Sequence, residues 1–65
     1  MNWGHELQMH RKALRWTQED LAERAGVSSR TISFWETGHR GMTLEHAELV
    51  FGVMGIEFTL KRKAI

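Results

Sequence analysis

A chain of 65 residues makes one domain near the lower limit for an unaided hydrophobic core, and it is too short to enclose a substrate among catalytic groups. The absence of cysteine excludes a disulfide framework and thiolate metal sites, and the four scattered histidines (His5, His10, His39 and His46) give no ligand spacing with a third group, so neither a metal nor a cofactor is expected. A net charge of +1 excludes any argument for a nucleic-acid partner from bulk charge alone; distribution has to carry it.

The N-terminal MNWGHELQ lacks a charged region followed by an apolar run, and nothing in the chain approaches the roughly 18 apolar residues of a membrane span, so a cytoplasmic location is expected. Residues 4–15, GHELQMHRKALR, place apolar or neutral groups at Leu7, His10, Ala13 and Leu14, with Trp3 one turn earlier, which is a helical stripe. The bases Arg11, Lys12 and Arg15 crowd this helix, and His10 is expected to be partly buried and hydrogen-bonded. Thr17 followed by Gln18, Glu19 and Asp20 reads as a hydroxyl cap with acids in the first turn. The second helix, about 18–25, should bury Leu21 and Ala22 and stop at Gly26. Ser28 caps a third, about 29–36, with Ile32 and Trp35 inward. Residues 37–41 form a loop. Thr43 caps a fourth helix, about 44–54, with Leu44, Ala47, Val50, Phe51 and Met54 inward and Gly55 at its end. The period then changes: Ile56, Phe58 and Leu60 alternate with Glu57, Thr59 and Lys61, the pattern of a strand with one apolar face. A single strand has no partner in its own monomer, and unpaired backbone groups are costly, so the same strand of a second copy is the expected partner. The domain division is therefore 1–55 and a dimerisation strand with a basic tail, 56–65. Lys61, Arg62 and Lys63 either guard the strand edge or touch phosphate.

Two short helices joined at a glycine can meet steeply only if the facing residue is small and the wedge between them is apolar. Ala22, Gly26, Val27, Ile32 and Trp35 meet that need together. The segment TQEDLAERAGVSSRTISFWETG resembles the helix-turn-helix of the lambda-repressor/Cro (XRE) family, and the likeness extends from Arg11 to the fourth helix. It implies an all-α, lambda-repressor-like bundle of four to five helices, with the short C-terminal strand pairing across a dimer. The tail GIEFTLKRK looks like the HipB-like antitoxin branch, in which such a strand pairs between subunits.

The resemblance puts Gln18, Thr31 and Arg40 at positions that touch the DNA backbone. It puts Ser29, Arg30, Ser33 and Phe34 at positions that face bases. Arg11 and Glu36 match the family's buried or half-buried ion pair, which ties helix one to the end of helix three, and Ile56, Phe58 and Leu60 fall on the dimer strand. Physical chemistry agrees for Arg30: a recognition helix presents its N-terminal residues to base edges, and arginine grips guanine O6 and N7 in bidentate fashion. Phe34 departs from the family, which usually has a basic or amide side chain there. Trp35 turns inward, so Phe34, about 100° round the helix, is expected to be exposed, packing either on a thymine methyl or on another part of the protein.

The function implied is sequence-specific binding of double-stranded operator DNA by a dimeric repressor, with an antitoxin that also binds a toxin as the special case. The rival is a protein-interaction module that keeps the fold without binding DNA; low net charge and an exposed Phe34 support it. Enzymatic activity is not expected, for no nucleophile stands with a base and an orienter, and no glycine loop cradles phosphate.

Overall fold

In the computed structural model, which describes residues 2–56, four helices follow in chain order: α1 Trp3–Ala13, α2 Gln18–Ala25, α3 Ser29–Thr37 and α4 Leu44–Val53. Each begins at a side-chain cap. The Asn2 side chain accepts the His5 N–H at 3.0 Å, and Ser28 and Thr43 accept the Thr31 and His46 N–H groups, both at 3.1 Å. Thr17 and Asp20 form a reciprocal capping box: Asp20 N–H donates to the Thr17 hydroxyl at 3.0 Å and Thr17 N–H to the Asp20 carboxylate at 2.9 Å. The Thr17 backbone N–H is the main cause holding the Asp20 carboxyl below its ordinary value.

The stops use left-handed residues. Gly26 ends α2 at φ 74°, with Val27 N–H bonded back to the Ala22 carbonyl at 3.0 Å. The first helix ends the same way but without glycine. Arg15 takes φ 63° while Arg15 and Trp16 N–H groups donate to the Lys12 and Arg11 carbonyls. An L side chain is disfavoured in that region, so this turn stores a little strain.

Leu7, Leu21, Ile32 and Val50, one from each helix, are the fully buried large side chains and meet at the centre. Ala22, Ala25, Trp35, Ala47, Phe51 and Met54 complete the core, with Val27 and Ile56 half-buried against it. The helix α3 packs on α1 and α2, and α4 packs on α2.

Two expected faces are corrected. In α1 the buried residues are Gly4, Leu7 and Arg11, while His10, Ala13 and Leu14 are exposed, Leu14 by 42%. The face is turned because Gly4 and Arg11, neither apolar, are the residues that fit against α3. A Cβ on Gly4 would sit 2.4 Å from the Trp35 carbonyl oxygen and 2.9 Å from that of Glu36, so only glycine lets the helices approach this closely. His10 instead lies 3.6 Å from Glu6 on the surface, its ring edge-on to Phe51. Leu44, in the first turn of α4, overhangs the core and is 45% exposed. No strand occurs among the described residues; Phe58, Leu60 and the basic run Lys61–Lys63 lie outside them. Ile56, the last described residue, closes α4 by donating its N–H to the Phe51 carbonyl at 3.0 Å.

Candidate nucleic-acid interface

The helix α3 divides its side chains by period. Ile32 and Trp35 are buried, and the Glu36 side chain is wholly enclosed. Arg30 and Thr37 are exposed; Ser29, Thr31, Ser33 and Phe34 are half-buried on the outer side. The Thr31 hydroxyl lies 3.0 Å from that of Ser28, so it is engaged in the cap. Thr37 donates its hydroxyl to the Ser33 carbonyl at 2.9 Å.

Behind this helix lies a polar network. Arg11 Nε donates to Glu36 Oε2 at 2.6 Å, Nη2 to Oε1 at 3.1 Å, and Nη1 to the Trp16 carbonyl at 2.7 Å. Gln18 Nε2 adds a fourth bond, to Glu36 Oε1 at 3.0 Å. The arginine fork matches the carboxylate in bidentate fashion, the geometry that makes a buried pair tolerable. Its third bond reaches the α1–α2 connection, so one guanidinium ties together α1, that connection and α3. Gln18, the first residue of α2, joins the second helix to the same carboxylate.

In front lies a different arrangement. The Arg30 and Arg40 guanidinium carbons lie over the Phe34 ring, 5.7 and 5.4 Å from its centroid. The His39 ring stacks on it at 5.7 Å with a 21° tilt. Arg40 is exposed. It reaches Phe34 because Gly38, at φ 83°, turns the chain back, and the Phe34 carbonyl accepts the His39 N–H at 3.0 Å. Phe34 thus packs against its own protein's cations. From Arg24 to Leu44 the only acidic residue is Glu36, and its carboxylate is spent inward on Arg11. Among the described residues neither Arg30 nor Arg40 forms an ion pair with a carboxylate, so the outer face of α3 keeps their positive charge.

Arg30, Phe34 and Arg40 are each expected at the interface from the sequence, but as separate contacts; their gathering around one ring is not. The signal for their charge was present as a run of 21 residues, 24–44, with a single acid in it. His39 was also missed, although its position just after Gly38 foreshadows the return toward α3. Trp16 packs against the core with the Arg24 guanidinium 4.3 Å from its ring centroid, a surface support for the α1–α2 connection. The Trp35 indole N–H is buried with no hydrogen-bond partner, its ring 4.9 Å from that of His46.

Among the described residues no group of three His, Asp or Glu side chains could hold a metal ion, and no helix is long and apolar enough to cross a membrane. The helix-turn-helix family model HTH_3 matches residues 7–61, well over half of the chain. No curated protein and no solved structure matches it.

Proposed function

Because the chain belongs to the XRE-type helix-turn-helix family, whose domains serve DNA-binding transcription regulators, we propose that it reads double-stranded operator DNA sequence-specifically as a homodimer and represses transcription there. The observation that supports this best is the outer face of α3, where exposed Arg30 and Arg40 both reach the Phe34 ring and the only acid of residues 24–44 is buried behind.

In this reading α3 lies in the major groove. Ser29 and Arg30 at its front and Ser33 and Phe34 one turn later face the bases. Arg30 supplies the most selective contact, a bidentate grip on guanine. Gln18, Thr31 and Arg40 hold the phosphates and set the register without specifying sequence. An amide nitrogen has two N–H donors, so Gln18 keeps one for a phosphate oxygen while the other goes to Glu36. The Arg11–Glu36 pair touches no DNA in this scheme; it ties α1 to α3, and Gln18 joins α2 to the same carboxylate, so the three helices hold the angle the groove needs. Two such helices must sit about 34 Å apart to enter successive major grooves. The dimer is proposed to form through Ile56, Phe58 and Leu60. The narrower form, an antitoxin with a toxin as second partner, rests on the sequence GIEFTLKRK alone, and a toxin-like neighbouring reading frame would support it.

The test is selection of duplexes from a random pool, followed by affinity against salt. Each neutralised phosphate contributes about −0.9 to the slope of log K against log salt, so a DNA reader should show a slope of several units. An interaction module with this fold should enrich no duplex at all. For the dimer, Phe58→Asp should sediment as a monomer, or fold poorly, and lose most operator binding. A variant that stays dimeric and binds normally removes the strand from the interface.

A further inference from the structure

We propose that Phe34 is a positioning residue: its ring holds the Arg30 and Arg40 guanidinium groups on the outer side of α3, and so fixes the direction in which Arg30 reads a base. This rests on the DNA-reading role proposed above. Both guanidinium carbons lie within the roughly 6 Å at which an aromatic face attracts a cation, at 5.7 and 5.4 Å. Arg30 reaches the ring because residues four apart share a helix face. Arg40 reaches it because the Phe34 carbonyl accepts both the His39 N–H, at 3.0 Å, and the Arg40 N–H, at 3.4 Å. One residue therefore anchors the returning loop by its backbone and the two cations by its ring.

The choice of an aromatic follows from what each alternative would do. A carboxylate would also order two arginines, but it would cancel the charge that phosphate and guanine must meet. An aliphatic side chain would leave two like charges and two long side chains unordered. The ring orders them and leaves their charge intact. A guanidinium held over a ring by its charge uses none of its N–H donors there, so the ring contact and the bidentate grip on guanine do not compete.

The experiment uses the full chain and the duplex that the parent enriches from a random pool. Ordering a rotamer-rich side chain before binding is worth enough that Phe34→Leu should weaken binding about tenfold. Phe34→Tyr, which keeps the ring, should bind like the parent. In an Arg30→Ala background the Phe34→Leu loss should shrink to about threefold or less, because only the Arg40 contribution remains. In the free protein, the Arg30 and Arg40 δ-CH₂ protons should show upfield ring-current shifts in the parent and in Phe34→Tyr but not in Phe34→Leu. Far-UV circular dichroism confirms that the leucine variant folds, and the tyrosine variant carries the comparison if it does not. The proposal is overturned by equal Phe34→Leu losses in both backgrounds, or by absent ring-current shifts. It is also overturned if uracil in place of thymine in the duplex abolishes the Phe34→Leu deficit, which would make Phe34 a reader of thymine methyl groups. A parent that enriches no duplex defeats the DNA-binding reading instead, and the ring-current shifts alone then decide whether the platform exists.

Discussion

The two sides of α3 handle arginine in opposite ways. On the inner side Arg11 is enclosed, its side chain 8% exposed, and its charge is met by a carboxylate that is itself fully buried. On the outer side Arg30 and Arg40 are open to solvent and gather over an aromatic ring, and among the described residues neither forms an ion pair. The first arrangement neutralises and locks; the second orders without neutralising. A buried charge left unpaired is severely penalised, whereas an exposed one carries little penalty and remains free to meet an anion. A net charge of +1 therefore says little about this segment, because the one acid of residues 24–44 is used up inside.

The sharpest way to break this contrast is Glu36→Ala. It strands the Arg11 guanidinium and should destabilise the fold by about 3–5 kcal/mol, enough to unfold much of so small a domain. Urea titration checks it. The double change Arg11→Met with Glu36→Met should recover most of that loss, since no orphaned charge remains; failure to recover would mean the pair does more than neutralise itself. Next is Gly4→Ala, which drives a Cβ into the Trp35 and Glu36 carbonyls. It should cost about 1–3 kcal/mol of stability as α1 is pushed off α3, and a thermal melt equal to the parent's would show that the helices separate without penalty.

Arg30→Ala tests the outer side. Stability should stay within about 0.5 kcal/mol of the parent, while binding to the selected duplex should weaken by roughly 1–3 kcal/mol and lose its preference at one base pair. A loss shared equally by selected and random duplexes would demote Arg30 to a phosphate contact. Arg15 offers a smaller effect of opposite sign. Its left-handed backbone suits glycine, so Arg15→Gly should stabilise by about 0.5–1 kcal/mol, the relief of strain less the added chain entropy. A destabilised variant would mean that the Arg15 side chain contributes more than its backbone strain removes.

The smallest expected effect is acid sensitivity through Asp20. Its carboxyl is held below the ordinary value of 3.8, first by the Thr17 backbone N–H, which outweighs an opposing effect of desolvation, and then by the Thr17 hydroxyl and Arg24. A lowered native value means the contribution is complete above the ordinary carboxylate value and is lost as pH falls through the lowered one. Stability measured from pH 6 down to pH 2 should therefore fall less steeply for Asp20→Asn than for the parent. Parallel curves would remove Asp20 from the acid response.

The extents of α2, α3 and α4 to within a residue, their caps Thr17, Ser28 and Thr43, and the wedge at Ala22, Gly26, Val27, Ile32 and Trp35 were legible in the residues themselves, whereas the Asn2 cap and the Arg15 stop of α1 were not. The legible features are local: a hydroxyl cap bonds three residues ahead, a left-handed stop depends on one residue, and an apolar period reports its own helix. The family likeness was legible for the same reason, since it rests on closely spaced positions and now agrees with the match over residues 7–61. The inner face of α1 was legible only in part: Arg11 and its pairing with Glu36 followed from the family likeness, while Gly4 did not. Gly4 faces inward only because α3 brings two carbonyls too close for a Cβ, and those are not visible from within α1. The role of Phe34 stayed open in the sequence for a similar reason. Four residues separate it from Arg30 and six from Arg40, but only the turn at Gly38 brings the second arginine back over the ring. Short-range chemistry determined the elements; which face met which neighbour was decided by contacts between residues distant in the chain.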